Sequence, residues 1–116
     1  MKSSEIKSCE LSLNDIDLSL RLANHIYEHE FDEFWTITLR TREDLTELLE
    51  ILEFVKNSLG DSAGFAQLNL EPNQYRTFSR ALWYTSNFED FFDEIFTEEE
   101  FIQIDELDDT VDKLTQ

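Results

Sequence analysis

Phe34-Trp35-Thr36-Ile37-Thr38-Leu39, aromatic and β-branched with alternating polarity, reads as a strand. Thr41 and Asp44 come next, a hydroxyl and a carboxylate spaced to satisfy each other's backbone amides at a helix start. Leu45, Leu48, Leu49, Leu52 and Val55 then recur at helical spacing, and Gly60 is expected to end the element. Phe65-Ala66-Gln67-Leu68-Asn69-Leu70 alternates again and reads as a second strand. Strand, helix and strand in this order predict a βαβ unit, parallel and right-handed in its crossover.

On the N-terminal side, Ser12 and Asp15 form another capping pair. The helix they start is expected to reach His29 and to bury Ile16, Leu20, Ala23, Ile26 and Tyr27. On the C-terminal side, Pro72 suits the first turn of a third helix, over about 73–86, burying Tyr75, Phe78 and Leu82. Asn87 then caps a fourth helix, in which Phe88, Phe91, Phe92, Ile95 and Phe96 recur at i, i+3, i+4, i+7 and i+8. After Thr97 two readings stay open. Residues 100–104 suit a third strand, while Ile104, Leu107, Val111 and Leu114 suit a last helix. The fold expected is α+β, with a small α/β arrangement as its variant. It is a single domain over residues 1–116, two or three strands covered by four or five helices, frayed at 1–11 and 108–116.

Charge dominates the composition. The 116 residues include 27 Asp and Glu against 9 Lys and Arg, a formal net charge of −18. Twelve of those acids fall in residues 88–116 against Lys113 alone, so a quarter of the chain carries −11 and the rest −7. Apolar residues make up 41% and ten are Phe, which excludes a disordered acidic chain. Direct binding to nucleic acid or to anionic lipid is disfavoured, because phosphate contacts demand Lys and Arg. No run of about 18 apolar residues spans a membrane and the first residues lack a signal-peptide pattern. With Cys9 as the single cysteine, a cytoplasmic protein without disulfides is expected.

Few residues suggest chemistry. His25-Ile26-Tyr27-Glu28-His29 resembles, over five residues, the His-x-x-Glu-His motif of the inverted zinc peptidases. That resemblance implies His25 and His29 as zinc ligands and Glu28 as base, in enzymes far longer than this chain. The simpler reading is two histidines near a helix C-terminus, where the helix dipole favours cations. Cys9 has no histidine near it in sequence, and neither a nucleophile elbow nor a phosphate loop is present. The sequence therefore predicts no enzyme, no catalytic residue, no metal and no cofactor.

What remains is a surface. Glu89, Asp90, Asp93 and Glu94 would form one uninterrupted acidic face of the fourth helix, continued by Glu98, Glu99, Asp105, Asp108 and Asp109. Ordinary surface helices mix signs for i, i+4 pairing, and this one has no base to interleave. Trp83 and Tyr84 are candidate anchors, since Trp and Tyr dominate interface hot spots. Arg76 and Arg80 are expected to pair with neighbouring acids, and Trp35 to lie in the core. These features predict a small acidic inhibitor of a basic protein, one that occludes the cationic groove of a nuclease toxin or another nucleic-acid-acting protein by phosphate mimicry. It would be a toxin-immunity protein, or a DNA mimic of a phage or mobile element such as an anti-CRISPR or anti-restriction protein. Small acidic α/β inhibitors of ribonucleases are similar in composition and strand–helix–strand make-up, with no shared motif. The alternative is a structural or regulatory interaction module, homo-oligomeric, whose acidity serves solubility.

Overall fold

The computed structural model describes residues 5–59 and 64–115; Gly60, expected to end a helix, lies outside them. In chain order come strand β1 (Lys7–Ser12) and helices α1 (Leu13–His29), α2 (Phe31–Thr38) and α3 (Arg42–Leu59). Strand β2 (Phe65–Leu70), helix α4 (Pro72–Asn87), a 3-10 turn (Glu89–Phe91), helix α5 (Glu98–Asp112) and a closing 3-10 turn (Lys113–Thr115) complete it. Among the described residues, five helices and a two-stranded sheet make a small compact α+β domain.

The capping pairs hold. The Asp15 amide donates to Ser12 Oγ at 3.1 Å and the Ser12 amide to Asp15 Oδ2 at 3.2 Å. Thr41 and Asp44 repeat the exchange at 2.9 and 3.1 Å. Pro72 stands in the first turn of α4, which is the central element, touching α1, α2, α3, α5 and β2. Being covered on several sides, α4 buries Thr77, Ser79, Ala81, Tyr84 and Thr85 besides the expected Tyr75, Phe78 and Leu82.

The βαβ unit is not formed. Residues 34–38, expected as a strand, belong to helix α2. Glu30 ends α1 and at once accepts the Phe34 amide at 3.0 Å, so the new helix starts without a gap. Phe31 and Phe34, three residues apart, provide its inward face, and Phe34 is wholly buried edge-on against Tyr84 at 5.4 Å. Thr36 and Thr38 turn their hydroxyls back onto the carbonyls of Asp32 and Phe34, both at 2.8 Å, the helical use of a β-branched residue. Trp35, expected in the core, is 47% exposed. Packing of the Phe31–Phe34 pair overrode strand propensity.

With that strand gone, β2 takes its partner from the N-terminal segment. Lys7–Ser12, of which all but Ser12 was expected to fray, pairs antiparallel with β2, Lys7 opposite Leu70 and Ser12 opposite Phe65. Cys9 and Leu11 face inward beside Leu68 and Ala66, while Ser8 and Glu10 are exposed, an alternation of period two in a mostly polar stretch. The parallel crossover, and with it the topological half of the likeness to ribonuclease inhibitors, falls away.

Two further expectations change. Residues 88–96 are not a helix. The last bonds of α4, Phe88 amide to Tyr84 carbonyl and Asn87 side chain to Trp83 carbonyl, show Asn87 closing α4 instead of opening a new element. Of the two readings left open beyond Thr97, the helix is the one formed. It runs to Asp112 with Ile104, Leu107 and Val111 buried, so residues 108–115 are not frayed; Gln116 lies outside the described residues.

Candidate functional site

Helix α5 begins at a capping box of Thr97 and Glu100, with bonds of 3.0 and 3.2 Å. Glu98, Glu99 and Glu100 in its first turn suit the positive end of the helix dipole. Its inward stripe divides two flanks. Toward α1, Arg21 donates to Glu100 and to the Ile95 carbonyl, each at 2.8 Å, and holds that carboxyl below the usual range. On the same flank, Gln103 donates to Asp15 at 2.8 Å.

The other flank faces α4 and is all acid. Asp105, Asp108, Asp109 and Asp112 recur at i, i+3, i+4 and i+7, over about 10 Å at 1.5 Å per residue. Ser86 donates to Asp105, and Ser79 to Asp112 at 3.4 Å, which fixes α5 antiparallel to α4. The four carboxylates feel one another. Burial, then Asp112, Asp109 and Asp105, push the Asp108 carboxyl up to about 6.

Facing this bank, the outer side of α4 carries Arg76, Arg80 and Trp83 at i, i+4 and i+7. Arg40, held by a 2.8 Å bond to Asn73, joins them, and the two rows enclose an open groove of about 390 Å³. Arg76 and Arg80 do not pair as expected: among the described residues neither has a carboxylate within 4.0 Å, although Asp108, Asp109 and Asp112 line the same groove. Arg76 instead lies over the Tyr75 ring at 5.9 Å.

The structure thus divides the surface expected from the sequence. Trp83, Asp108 and Asp109 share the groove, Asp105 joins through Ser86, and Glu98 lies on the same flank two turns earlier. Glu89 and Asp90 line a separate hollow with Ser86 at the end of α4. Asp93 and Glu94 are exposed and do not line the groove, and their neighbours Phe92 and Ile95 contact the α1 side. There the Phe92 ring lies 4.9 Å from His25, and Arg21 binds the Ile95 carbonyl. Glu99 is exposed at the start of α5, outside the groove. Tyr84 is no anchor. It is wholly buried among Phe34, Phe88, Phe91 and Phe92, and its hydroxyl has no hydrogen-bond partner among the described residues. The single acidic helix face over 88–96 is therefore replaced by an aspartate flank on α5. The signal that would have placed it was Thr97-Glu98-Glu99-Glu100, a capping box.

Of the two histidines, His25 acts as a fastener. His25 Nε2 lies 3.1 Å from the Phe91 carbonyl and 3.9 Å from Glu30, tying the segment after α4 onto α1. The His29 ring is 5.1 Å from that of His25, and its Nε2 is 4.0 Å from Glu28. No group of three or more potential ligands that could hold a metal occurs among the described residues. Burial pushes the Cys9 thiol up to about 11, which keeps it protonated. No helix among the described residues is long and apolar enough to cross a membrane. Comparisons with protein-family models, curated proteins and solved structures found no match.

Proposed function

We propose that this protein binds a basic, nucleic-acid-acting protein and inhibits it by occluding its cationic groove, without catalysis and in the cytoplasm. The aspartate flank of α5 carries this reading. Four carboxylates at fixed helical spacing, on a chain of net charge −18, present what a phosphate-binding groove of Lys and Arg is built to receive. The surrounding charge steers the encounter, and the ordered flank supplies the contact. Immunity against a nuclease toxin and mimicry of DNA against CRISPR or restriction machinery use the same physics.

The test is affinity capture of the partner, then competition and association kinetics on the captured protein. The chain is expected to displace DNA or RNA from it. Asp105→Lys with Asp109→Lys slows association tenfold or more at low salt, and by less near about 0.5 M, where screening is strong. A captured protein without affinity for nucleic acid overturns the reading, and so does an unchanged association rate.

A further inference from the structure

The groove between α4 and α5 has a property that a one-sided acidic surface lacks: it carries both signs in separate rows. Arg76, Arg80 and Arg40 line one side, Asp108, Asp109 and Asp112 the other, with Trp83 beside them. In a chain with 27 acids, arginines without a carboxylate in reach are unusual, and Arg80 makes no hydrogen bond, ion pair or ring contact among the described residues. Across the groove the aspartates have the opposite need. Four of them crowd one flank, and burial together with that crowding pushes the Asp108 carboxyl up to about 6.

Two rows of opposite sign, side by side on one face, are each other's complement under a two-fold rotation. Let the axis run along the groove, parallel to the helices. The rotation lays α4 of one copy over α5 of a second and leaves position along the axis unchanged. Within one chain Ser79 stands level with Asp112 and Ser86 with Asp105. The same levels across the axis set Arg76 and Arg80 opposite Asp112, Asp109 and Asp108 of the second copy, and the pairing occurs twice. This is the requirement of an isologous interface, a patch that matches itself. Trp83, half-buried and edge-on to Phe88 at 6.2 Å, closes the arginine row and adds an aromatic surface of the kind that anchors interfaces.

We infer that this chain self-associates as a two-fold dimer through the α4–α5 groove, the arginine row of each copy pairing with the aspartate row of the other. Self-association stands on the groove's charges alone and does not depend on the inhibitory function. If both hold, the second copy and a basic partner compete for the same aspartates.

The salt dependence separates the two. Copies bearing −18 each repel at long range, so the dimer is weakened at about 0.01 M salt, where the screening length is about 30 Å. It tightens at about 0.15 M, where that length is about 8 Å and only contact pairs survive. Binding of a basic partner weakens over the same range.

The experiment is sedimentation velocity on the purified chain at about 0.15 M salt. The wild type is expected at twice the chain mass. Arg80→Asp and Asp109→Arg, both at exposed positions, are each expected to sediment as folded monomers, with self-association weakened at least tenfold, about 1.4 kcal/mol. Mixing the two variants restores the dimer, because each altered charge then meets its opposite across the axis. A monomeric wild type overturns the proposal. So do single variants as dimeric as the wild type, or a mixture that stays monomeric while both variants keep their helical circular dichroism.

Discussion

Phe88–Thr97 and Glu98–Asp112 are adjacent and both acidic, with four acids in ten residues and eight in fifteen, and each is threaded with five apolar residues, yet the first is irregular and the second a helix. The first has the better helical pattern. Its five apolar residues fall at i, i+3, i+4, i+7 and i+8, whereas α5 exposes Ile102 at 60%. The difference lies in what each side chain meets. In the first segment Phe92 goes wholly under, against His25 and Tyr84, and Phe96 stacks on it at 6.1 Å. Phe88 and Phe91 stack on each other at 5.8 Å, and Phe91 stays 42% exposed. Those destinations cannot be reached from one straight face, and the chain must also reverse between antiparallel α4 and α5. The backbone gives up regular bonds for side-chain burial and accepts tethers from Arg21 and His25 in exchange. In α5 a single stripe meets a single trough between α1 and α4, so the helix survives. Periodicity shows that a face is apolar; it does not show that one surface receives it.

The contrast can be broken most strongly at Phe92. Phe92→Ala removes the buried pin of the irregular segment and is expected to cost about 3–5 kcal/mol in urea unfolding. Ile102→Ala on the exposed side of α5 should stay within about 0.5 kcal/mol. Similar losses at both positions would mean that the first segment is not held by burial. Next comes Thr97, the boundary itself. Thr97→Ala removes the cap of α5 and should cost about 1 kcal/mol, with Thr97→Ser close to wild type.

The smallest effect concerns the aspartate flank. Asp108 has its carboxyl raised to about 6 from 3.8, so the folded state holds that proton more tightly than the unfolded chain. Its contribution to stability is favourable at acid pH and is lost as pH rises from about 4 through about 6. Asp108→Asn should therefore stabilise the protein at pH 7.5 by about 0.5 kcal/mol, solvent screening having reduced the gross value, and by almost nothing at pH 4. Glu100, held low by Arg21 and Thr97, has the opposite sign: its contribution is present at neutral pH and fades in acid. A variant at position 108 with no pH-dependent gain would mean that burial and the neighbouring aspartates do not raise this carboxyl.

Much of this molecule was legible where a signal is local. The caps at Ser12 and Thr41 and the proline at the start of α4 need only residues a few positions apart, and the structure forms each of them. Composition likewise determined the acidity and the presence of a core. What depended on distant partners was not readable. The strand-like Phe34–Thr38 became helical because Phe34 found Tyr84, 50 residues on, while Phe31 packed against the core beside it. The polar Lys7–Ser12 became a strand because β2, more than 50 residues on, pairs along its whole length. Tyr84 and Trp83, neighbours in sequence, were separated into core and surface by the side of α4 that α2 covers. The same holds for the candidate site: that acids crowd the last quarter is a property of sequence, but that three of them line a groove opposite arginines with no carboxylate within 4.0 Å among the described residues arises only when α5 packs beside α4. Local hydrogen bonds and composition are written in the order of residues. Burial and charge pairing are written in the distances between elements, which the chain sets only once it has folded.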